Sequence, residues 1–264
     1  VKVALLEQFS FGHEHGSSHG NSRIYRMCYD DQVYSRMGIR SLNGWKTIEK
    51  ESNSKLLYQV GGLDFGYEKD MQKVIGVCQA NQIHHELLNA SELKKKFPHI
   101  NAPEGYVGVF QKDAGILNAV EAVKTLIALA KKQGAHLFEK TTLDQILPSS
   151  TKKGCYDICT TSGRIFTTKK IVMCAGAWTK KLLKQVIPSY SVNLKAVQMS
   201  YLSWKVNSDY LDHYRNGPLF IHWGPFKVEN DDDSTSGFKR DLGYYGFPIF
   251  EPESGNFHFK ASAH

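Results

Sequence analysis

Apolar positions along this chain recur at two spacings, and the changes from one to the other mark its elements. The opening run Val1-Lys2-Val3-Ala4-Leu5-Leu6-Glu7 reads as a buried strand ending in a carboxylate. Gly12 to Asn21 is a loop of Gly, His and Ser. A helical pattern follows from about Asp31 to Glu51, with Tyr34, Met37, Leu42, Trp45 and Ile48 as its apolar face. A turn and strand are expected around Val60 to Phe65, with Gly61-Gly62 as punctuation. Two more helices are expected, one over Lys69 to Asn81 and a shorter one that starts near Asn89 or Ser91 and stops before Pro98.

The strongest helical signal runs from Asn118 to Gln133. Asn118 with Glu121 makes an N-cap and acidic N3 pair, and Gly134 supplies a C-terminal stop. Val120, Val123, Ile127 and Ala130 fall on one face, with Leu126 beside them. Strands are then expected at Leu143 to Leu147, Cys155 to Thr160, Arg164 to Thr167 (after a Ser162-Gly163 turn) and Lys170 to Cys174. From Asn193 onward the pattern is strand-rich: Leu194 to Trp204, Leu219 to Trp223, Tyr244 to Ile249 and Phe257 to Ala263. Asn230 to Gly237 is an acidic, Ser/Gly-rich loop, and no internal repeat is visible.

Composition narrows the class only a little. The chain has 264 residues, 41% hydrophobic and 22% charged, enough for one large domain or two intertwined ones. No apolar run approaches the ~18 residues of a membrane span, and Val1 to Glu7 lacks the features of a signal peptide. The chain enters on a core strand with valine and stops on an alternating strand, so both ends read as cut. The net charge of +7 is spread as short clusters, Lys94 to Lys96, Lys131 with Lys132, and Lys180 with Lys181. That is a solvated basic surface rather than a nucleic-acid footprint, although a nucleic-acid-binding module stays open as an alternative. Five scattered cysteines, 28, 78, 155, 159 and 174, fit a reducing intracellular compartment, with Cys174 expected buried in an apolar strand. Cys155 and Cys159 lack a second pair, and His13-Glu14-His15 and His84-His85 fall short of a ligand set, so no metal is expected.

Two segments carry candidate chemistry on their own residues. In dinucleotide-binding βαβ units the second strand ends in an acid that takes the ribose hydroxyls, as Glu7 would, although a solvated strand end is the plainer account of a lone Glu. The glycine fingerprint that heralds such an acid is absent. In Gly16-Ser17-Ser18-His19-Gly20-Asn21-Ser22-Arg23-Ile24-Tyr25-Arg26, small residues let backbone amides approach an anion or planar ring. If the stretch after Ser22 is helical, Arg23 and Arg26 share a face. A polar surface loop followed by a charged helix start accounts for the same residues equally well.

That segment resembles the flavin-contacting signature of the monomeric sarcosine oxidase, N-methyltryptophan oxidase and pipecolate oxidase family. Further matches follow in the same order: Gly61-Gly62-Leu63-Asp64-Phe65-Gly66, Asp113-Ala114-Gly115-Ile116-Leu117, Ala175-Gly176-Ala177-Trp178-Thr179, and Tyr244-Tyr245-Gly246-Phe247-Pro248 with Lys260 and His264. The resemblance covers essentially the whole chain and implies FAD as cofactor. It makes Glu7 the ribose acid and Ser17, Ser18, His19, Ser22 and Arg23 the wrapping of the flavin end. It places Arg23 against the ring system and Arg26 near the substrate carboxylate, where guanidinium geometry suits bidentate contact. Ala175, Gly176 and Trp178 would close around FAD, although a tight strand-to-helix turn explains them without it, and the Leu143 backbone would contact adenine.

Tyr245 resembles a residue facing the substrate, and His264 a histidine near the substrate amine. Lys260 resembles the family lysine that reaches the flavin through water and activates dioxygen; by alternation alone it is equally an outward strand residue. The stretch Glu251 to Asn256 is longer and more acidic than the bacterial pattern. None of the five cysteines matches the family's flavin-linking cysteine, so covalent or non-covalent attachment is left open.

The implied fold is α/β plus α+β. A Rossmann-like FAD-binding domain at 1–57 and 122–192, lacking its first strand and phosphate loop, is interleaved with a mixed or antiparallel-sheet substrate domain at 58–121 and 193–264 that lacks its C-terminal part. The implied activity is oxidation of a secondary or N-substituted amino acid of the sarcosine, pipecolate, saccharopine or fructosyl amino acid type, with dioxygen reduced to hydrogen peroxide. The implied partners are a small amino-acid substrate and dioxygen, with no nucleic acid or membrane, in a peroxisomal or cytoplasmic setting. A truncated or degenerate flavin-binding protein without activity is the alternative.

Overall fold

The computed structural model describes residues 2–224, 243–251 and 256–263. In chain order the elements are β1 (Ala4–Leu6), β2 (Arg23–Tyr25), α1 (Gln32–Ser52), β3 (Leu57–Tyr58), β4 (Gly62–Tyr67), α2 (Glu68–Ala80), β5 (Glu86–Asn89), α3 (Ala90–Lys96), β6 (Tyr106–Gln111) and β7 (Gly115–Leu117). There follow α4 (Ala119–Lys132), β8 (His136–Phe138), β9 (Leu143–Pro148), β10 (Tyr156–Thr160), β11 (Ile165–Thr168), α5 (Thr179–Val186), β12 (Leu202–Lys205), α6 (Leu211–Arg215), β13 (Leu219–Trp223), β14 (Tyr244–Glu251) and β15 (Asn256–Ala263). Short 3-10 turns precede α5 (Gly176–Trp178) and α6 (Ser208–Tyr210). The chain divides into two compact units, residues 1–21 with 119–198, and residues 22–118 with 199–264.

In the first unit β1 pairs in parallel with β8, and β9, β10 and β11 form an antiparallel sheet in the order β11-β10-β9. The β10–β11 turn carries Gly163 at φ 79°, a conformation that favours glycine. α4 begins directly after Asn118 and ends at Gly134 (φ 86°), whose N–H donates to the Lys131 carbonyl while Ala135 N–H donates to Ala130. Its buried side chains are Ala119, Ala122 and Thr125, not the expected Val120, Val123, Ile127 and Ala130 row, and Leu126 is exposed.

Two expected strands do not form as drawn. Lys170 to Cys174 forms no strand: no described strand runs beside it to take its N–H and C=O groups. Val172 is therefore 84% exposed, and Cys174, expected buried, is exposed as well. The Leu194 to Trp204 strand shrinks to β12, because only 202–205 find a partner in β15.

The second unit is built on a seven-stranded mixed sheet in the order β12-β15-β14-β13-β4-β6-β5. β13 lies parallel to β4, and the other pairings are antiparallel. One face packs Leu63, Phe65, Leu93, Phe97 and Ile100 with Phe110 and Phe220. The other packs Leu219 and Phe247 against Ala114, Ile24 and Ile116 of a smaller sheet ordered β2-β7-β3. α3 is held by the capping box that Asn89 makes with Glu92.

α1 is capped by Asp31, whose carboxylate accepts from the N–H groups of Val33 and Tyr34, and it ends at Asn53 in the left-handed region. Its expected apolar face packs only in part: Leu42, Trp45 and Ile48 are half-buried. Ser35 and Gly38 are buried, whereas Tyr34 and Met37 are about three-fifths exposed, at 60% and 59%. The reason is close approach: a Cβ on Gly38 would stand 2.7 Å from the Arg26 carbonyl, and Tyr25 Oη donates to the Gly38 carbonyl at 2.9 Å. The stretch after Ser22 is β2 and not a helix, so the condition for Arg23 and Arg26 sharing a helical face fails. The Asn230 to Gly237 loop and His264 lie outside the described residues.

Candidate functional site

In the first unit, residues far apart in sequence meet at the carboxyl end of β1. Glu7 follows that strand, and its Oε1 accepts from Phe9 N–H at 2.8 Å while His13 Nε2 stands 3.6 Å from Oε2. The Glu7 carbonyl accepts from Thr141 N–H and the Phe9 carbonyl from Lys140 N–H, at 2.8 and 2.9 Å, which runs the segment leading to Leu143 alongside. Phe9 meets Trp178 edge-on with ring centroids 5.7 Å apart, bringing in the turn that holds Ala175 and Gly176. Gly176 has φ 50°, and a Cβ there would meet open space. Ser17 and Ser18 are exposed on the loop between, where His19 Nδ1 contacts the Gly16 carbonyl. Glu7, Leu143, Ala175, Gly176 and Trp178 thus share one end of the unit.

In the second unit the register of the seven-stranded sheet gathers a different set. Paired residues share a face, and Lys260 pairs with Phe247, Ser262 with Tyr245, Tyr245 with Ile221, and Ile221 with Asp64. One row along, Gln111 pairs with Gly62, and Trp223 sits two residues beyond Ile221 on the same side. This face therefore carries Lys260, Tyr245, Asp64, Trp223 and Gln111 among its apolar residues.

Arg26 is only 6% exposed and forms an ion pair with Asp64, Nη1 to Oδ1 at 2.5 Å. Nη1 also donates to the Cys28 carbonyl at 2.9 Å, and the guanidinium lies 4.2 Å from the Tyr29 ring centroid. Trp223 Nε1 donates to the same Asp64 oxygen at 2.8 Å. Burial pushes the Asp64 carboxyl up from its ordinary range, opposed by the Arg26 charge and by the Trp223 and Gln111 side chains. Asp64 Oδ2 and Gln111 Nε2 are both buried, and neither is hydrogen-bonded to any group outside this cluster. Neither Asp64 nor Trp223 was marked for chemistry by the sequence reading. The available signal was a lone carboxylate inside an apolar strand run, since a buried charge requires a partner.

Lys260 is 5% exposed, with its ammonium 3.8 Å from the Tyr201 ring centroid and 5.5 Å from that of Phe247. Burial, and secondarily the charge of Arg23, pull its pKa down. It is thus an inward residue, not an outward one. Ser22 is buried, and its carbonyl accepts from Arg23 Nη1 at 2.7 Å. Ser22, Arg23, Arg26, Tyr245 and Lys260 all belong to this unit.

Among the described residues no group of three or more His, Cys, Asp or Glu side chains is arranged to hold a metal ion. Nor, among them, is any helix long and apolar enough to cross a membrane.

Solved structures share this fold, with one unit that holds a parallel strand pair and another built on a mixed sheet. NikD, described as an unusual amino acid oxidase essential for nikkomycin biosynthesis, superposes in its open form with a TM-score of 0.69 at 19% identity over 99% of this chain and 63% of its own. Glycine oxidase from Geobacillus kaustophilus superposes at 0.67 with 15% identity, over 100% of this chain and 65% of its own. The expected fold class therefore holds. The family model described as FAD dependent oxidoreductase matches residues 1–235, and the chain belongs to that family.

Peroxisomal sarcosine oxidase of Homo sapiens is 30% identical over 208 residues, covering 77% of this chain and 51% of the human protein. Monomeric sarcosine oxidase of Bacillus sp. (strain B-0618) is 30% identical over 260 residues, 95% of this chain and 60% of that protein. The chain thus spans between half and three-fifths of the length of these relatives.

Proposed function

We propose that this chain forms the greater part of an FAD-dependent oxidase of secondary or N-substituted amino acids, with dioxygen as acceptor and hydrogen peroxide as product. Family membership supports the reaction class. The observation that carries the reading to particular residues is the single sheet face that brings Lys260, Tyr245 and the Arg26–Asp64 pair together.

The first unit fits the nucleotide part of the cofactor. A carboxylate follows a parallel strand two residues before Phe9, whose ring meets the turn of Trp178, where Gly176, at positive φ, has open space in place of a side chain. Glu7 would take the ribose hydroxyls, the Leu143 backbone would meet adenine, and Ala175, Gly176 and Trp178 would close over the group. Ser17, Ser18, His19 and Ser22 would contact the flavin end. Bound FAD supplies the two-electron acceptor that the amino acids lack and passes the electrons to dioxygen.

The remaining roles belong to the protein. Arg23 would lie against the flavin, favouring negative charge there, and Arg26 would orient the substrate carboxylate with the guanidinium edge that Asp64 leaves open. Tyr245 would line the substrate pocket, and His264 would stand near the amine. Lys260, buried and carrying a lowered pKa, would stabilise negative charge developing on dioxygen. The oxidised substrate is an imine, which hydrolyses to an aldehyde or semialdehyde plus amine, or stays in the ring when the substrate is cyclic. In this reading the FAD-binding domain is 1–57 with 122–192 and the substrate domain is the rest. The setting is intracellular, peroxisomal or cytoplasmic, consistent with a peroxisomal relative and five free cysteines.

The test uses the natural full-length protein carrying this chain. Mixed anaerobically with sarcosine, pipecolate, saccharopine or a fructosyl amino acid, it should lose its yellow absorbance with at least one of them and yield hydrogen peroxide when air is admitted. A yellow protein that none of the four bleaches would be a flavin-binding protein without this activity.

A further inference from the structure

We infer that Asp64 is the counter-charge with which a substrate carboxylate must share Arg26, so that binding an anionic ligand is coupled to uptake of a proton by Asp64. The inference rests on the proposed role of Arg26 at the substrate carboxylate.

The geometry supplies each part. Arg26 and Asp64 are both buried, and their 2.5 Å contact uses only Nη1 of the guanidinium, which leaves a second edge of the planar fork for another carboxylate. A ligand on that edge places two carboxylates on one cation in a site poor in water. Like charges that close disfavour joint ionisation, and one of the pair takes a proton. Asp64 is the better candidate. Oδ1 is held by Arg26 and Trp223, whereas buried Oδ2 has no charged donor, and the Gln111 side chain is the other group that favours the carboxylate. The titratable, charged and polar groups facing it are Arg26 and Cys28 from the segment after β2, Gln111 of β6 and Trp223 of β13, of which only Arg26 is charged. Burial already favours the neutral carboxyl. Protons balance simply: ionised Asp64, the ligand anion and one proton give neutral Asp64 with the anion bound.

The sign of the pH effect follows. Between the Asp64 pKa of the free protein and the higher pKa of the liganded one, anion affinity should weaken as pH rises, by up to about tenfold per pH unit, and stay level outside that window. Lys260 also loses charge as pH rises and would weaken anion binding in the same direction, so substitutions must separate the two.

Calorimetric titration of the full-length, FAD-loaded protein with benzoate, an unreactive monocarboxylate, in two buffers of different ionisation heat counts the protons taken up. The wild type should take up about one within the window, and Asp64→Asn none, with an affinity that no longer follows pH there. Undiminished uptake by Asp64→Asn overturns the inference. Should that variant not fold, Trp223→Phe keeps Asp64 but removes a donor to Oδ1, and must move the window to higher pH; an unmoved window overturns the inference equally. Arg26→Gln separates this inference from the reading beneath it. Benzoate affinity unaffected by that change removes Arg26 from the substrate site and overturns both, while bleaching by substrate still tests the oxidase reading by itself.

Discussion

In the second unit Leu63, Leu93, Val109 and Leu219 are wholly buried, at 0% exposure, whereas in the first Val3, Leu5, Ile171 and Val172 remain 41–84% exposed. The two sets are equally apolar. What separates them is the company each strand keeps. β4 has β13 on one side and β6 on the other, and side chains packed over both faces. Among the described residues β1 pairs with β8 alone, and residues 170–174 have no strand beside them. Apolar sequence supplies the driving force for burial, but a ladder and a covering layer decide where it is realised.

That contrast can be broken by measurement. Phe247→Ala, at a 2% exposed position in the second unit's core, should lower unfolding free energy in urea by about 3–5 kcal/mol. Asn89→Ala removes the capping box at the start of α3 and should cost about 1 kcal/mol. In the 264-residue chain by itself, Val172→Ser, on the unpaired segment of the first unit, should change stability by no more than about 0.5 kcal/mol. If Val172→Ser destabilised as much as Phe247→Ala, the first unit would possess a core that its surface exposure denies.

Much of this organisation was legible in residue patterns. The helix starts at about Asp31 and near Asn89 and the stop at Gly134 were legible because capping is a local matter of three or four residues, and the structure adds the Asp31 cap and the Asn89–Glu92 box themselves. β13 matched its expected span of Leu219 to Trp223 in full, as a short apolar run at the centre of a sheet. Helix faces were less legible, because α1 and α4 bury small residues. Ser35 and Gly38 let α1 meet the backbone at Arg26 and Met27, and a search for apolar side chains passes over them. The strands β5, β6 and β8 were missed, since their pairing depends on partners distant in sequence.

The site divides along the same line. Glu7, the glycine and serine loop, and the arginines could be singled out because their spacing is local. The Asp64–Arg26–Trp223 cluster could not, because residues 26, 64 and 223 come together only through the register of β4 and β13 and the packing of the chain beyond β2. Lys260 was a strand residue of undetermined direction until its pairing with Phe247 put it on the inward face.

In the proposed function this inward face, with Lys260 upon it, is where the reaction with dioxygen would be promoted. Lys260→Met in the full-length, FAD-loaded protein tests it by stopped-flow absorbance, following anaerobic reduction by substrate and reoxidation by dioxygen separately. Reoxidation should slow by roughly 10²–10³-fold while reduction changes far less, since the buried ammonium acts on charge that develops only with dioxygen. Reoxidation at the wild-type rate would contradict the account.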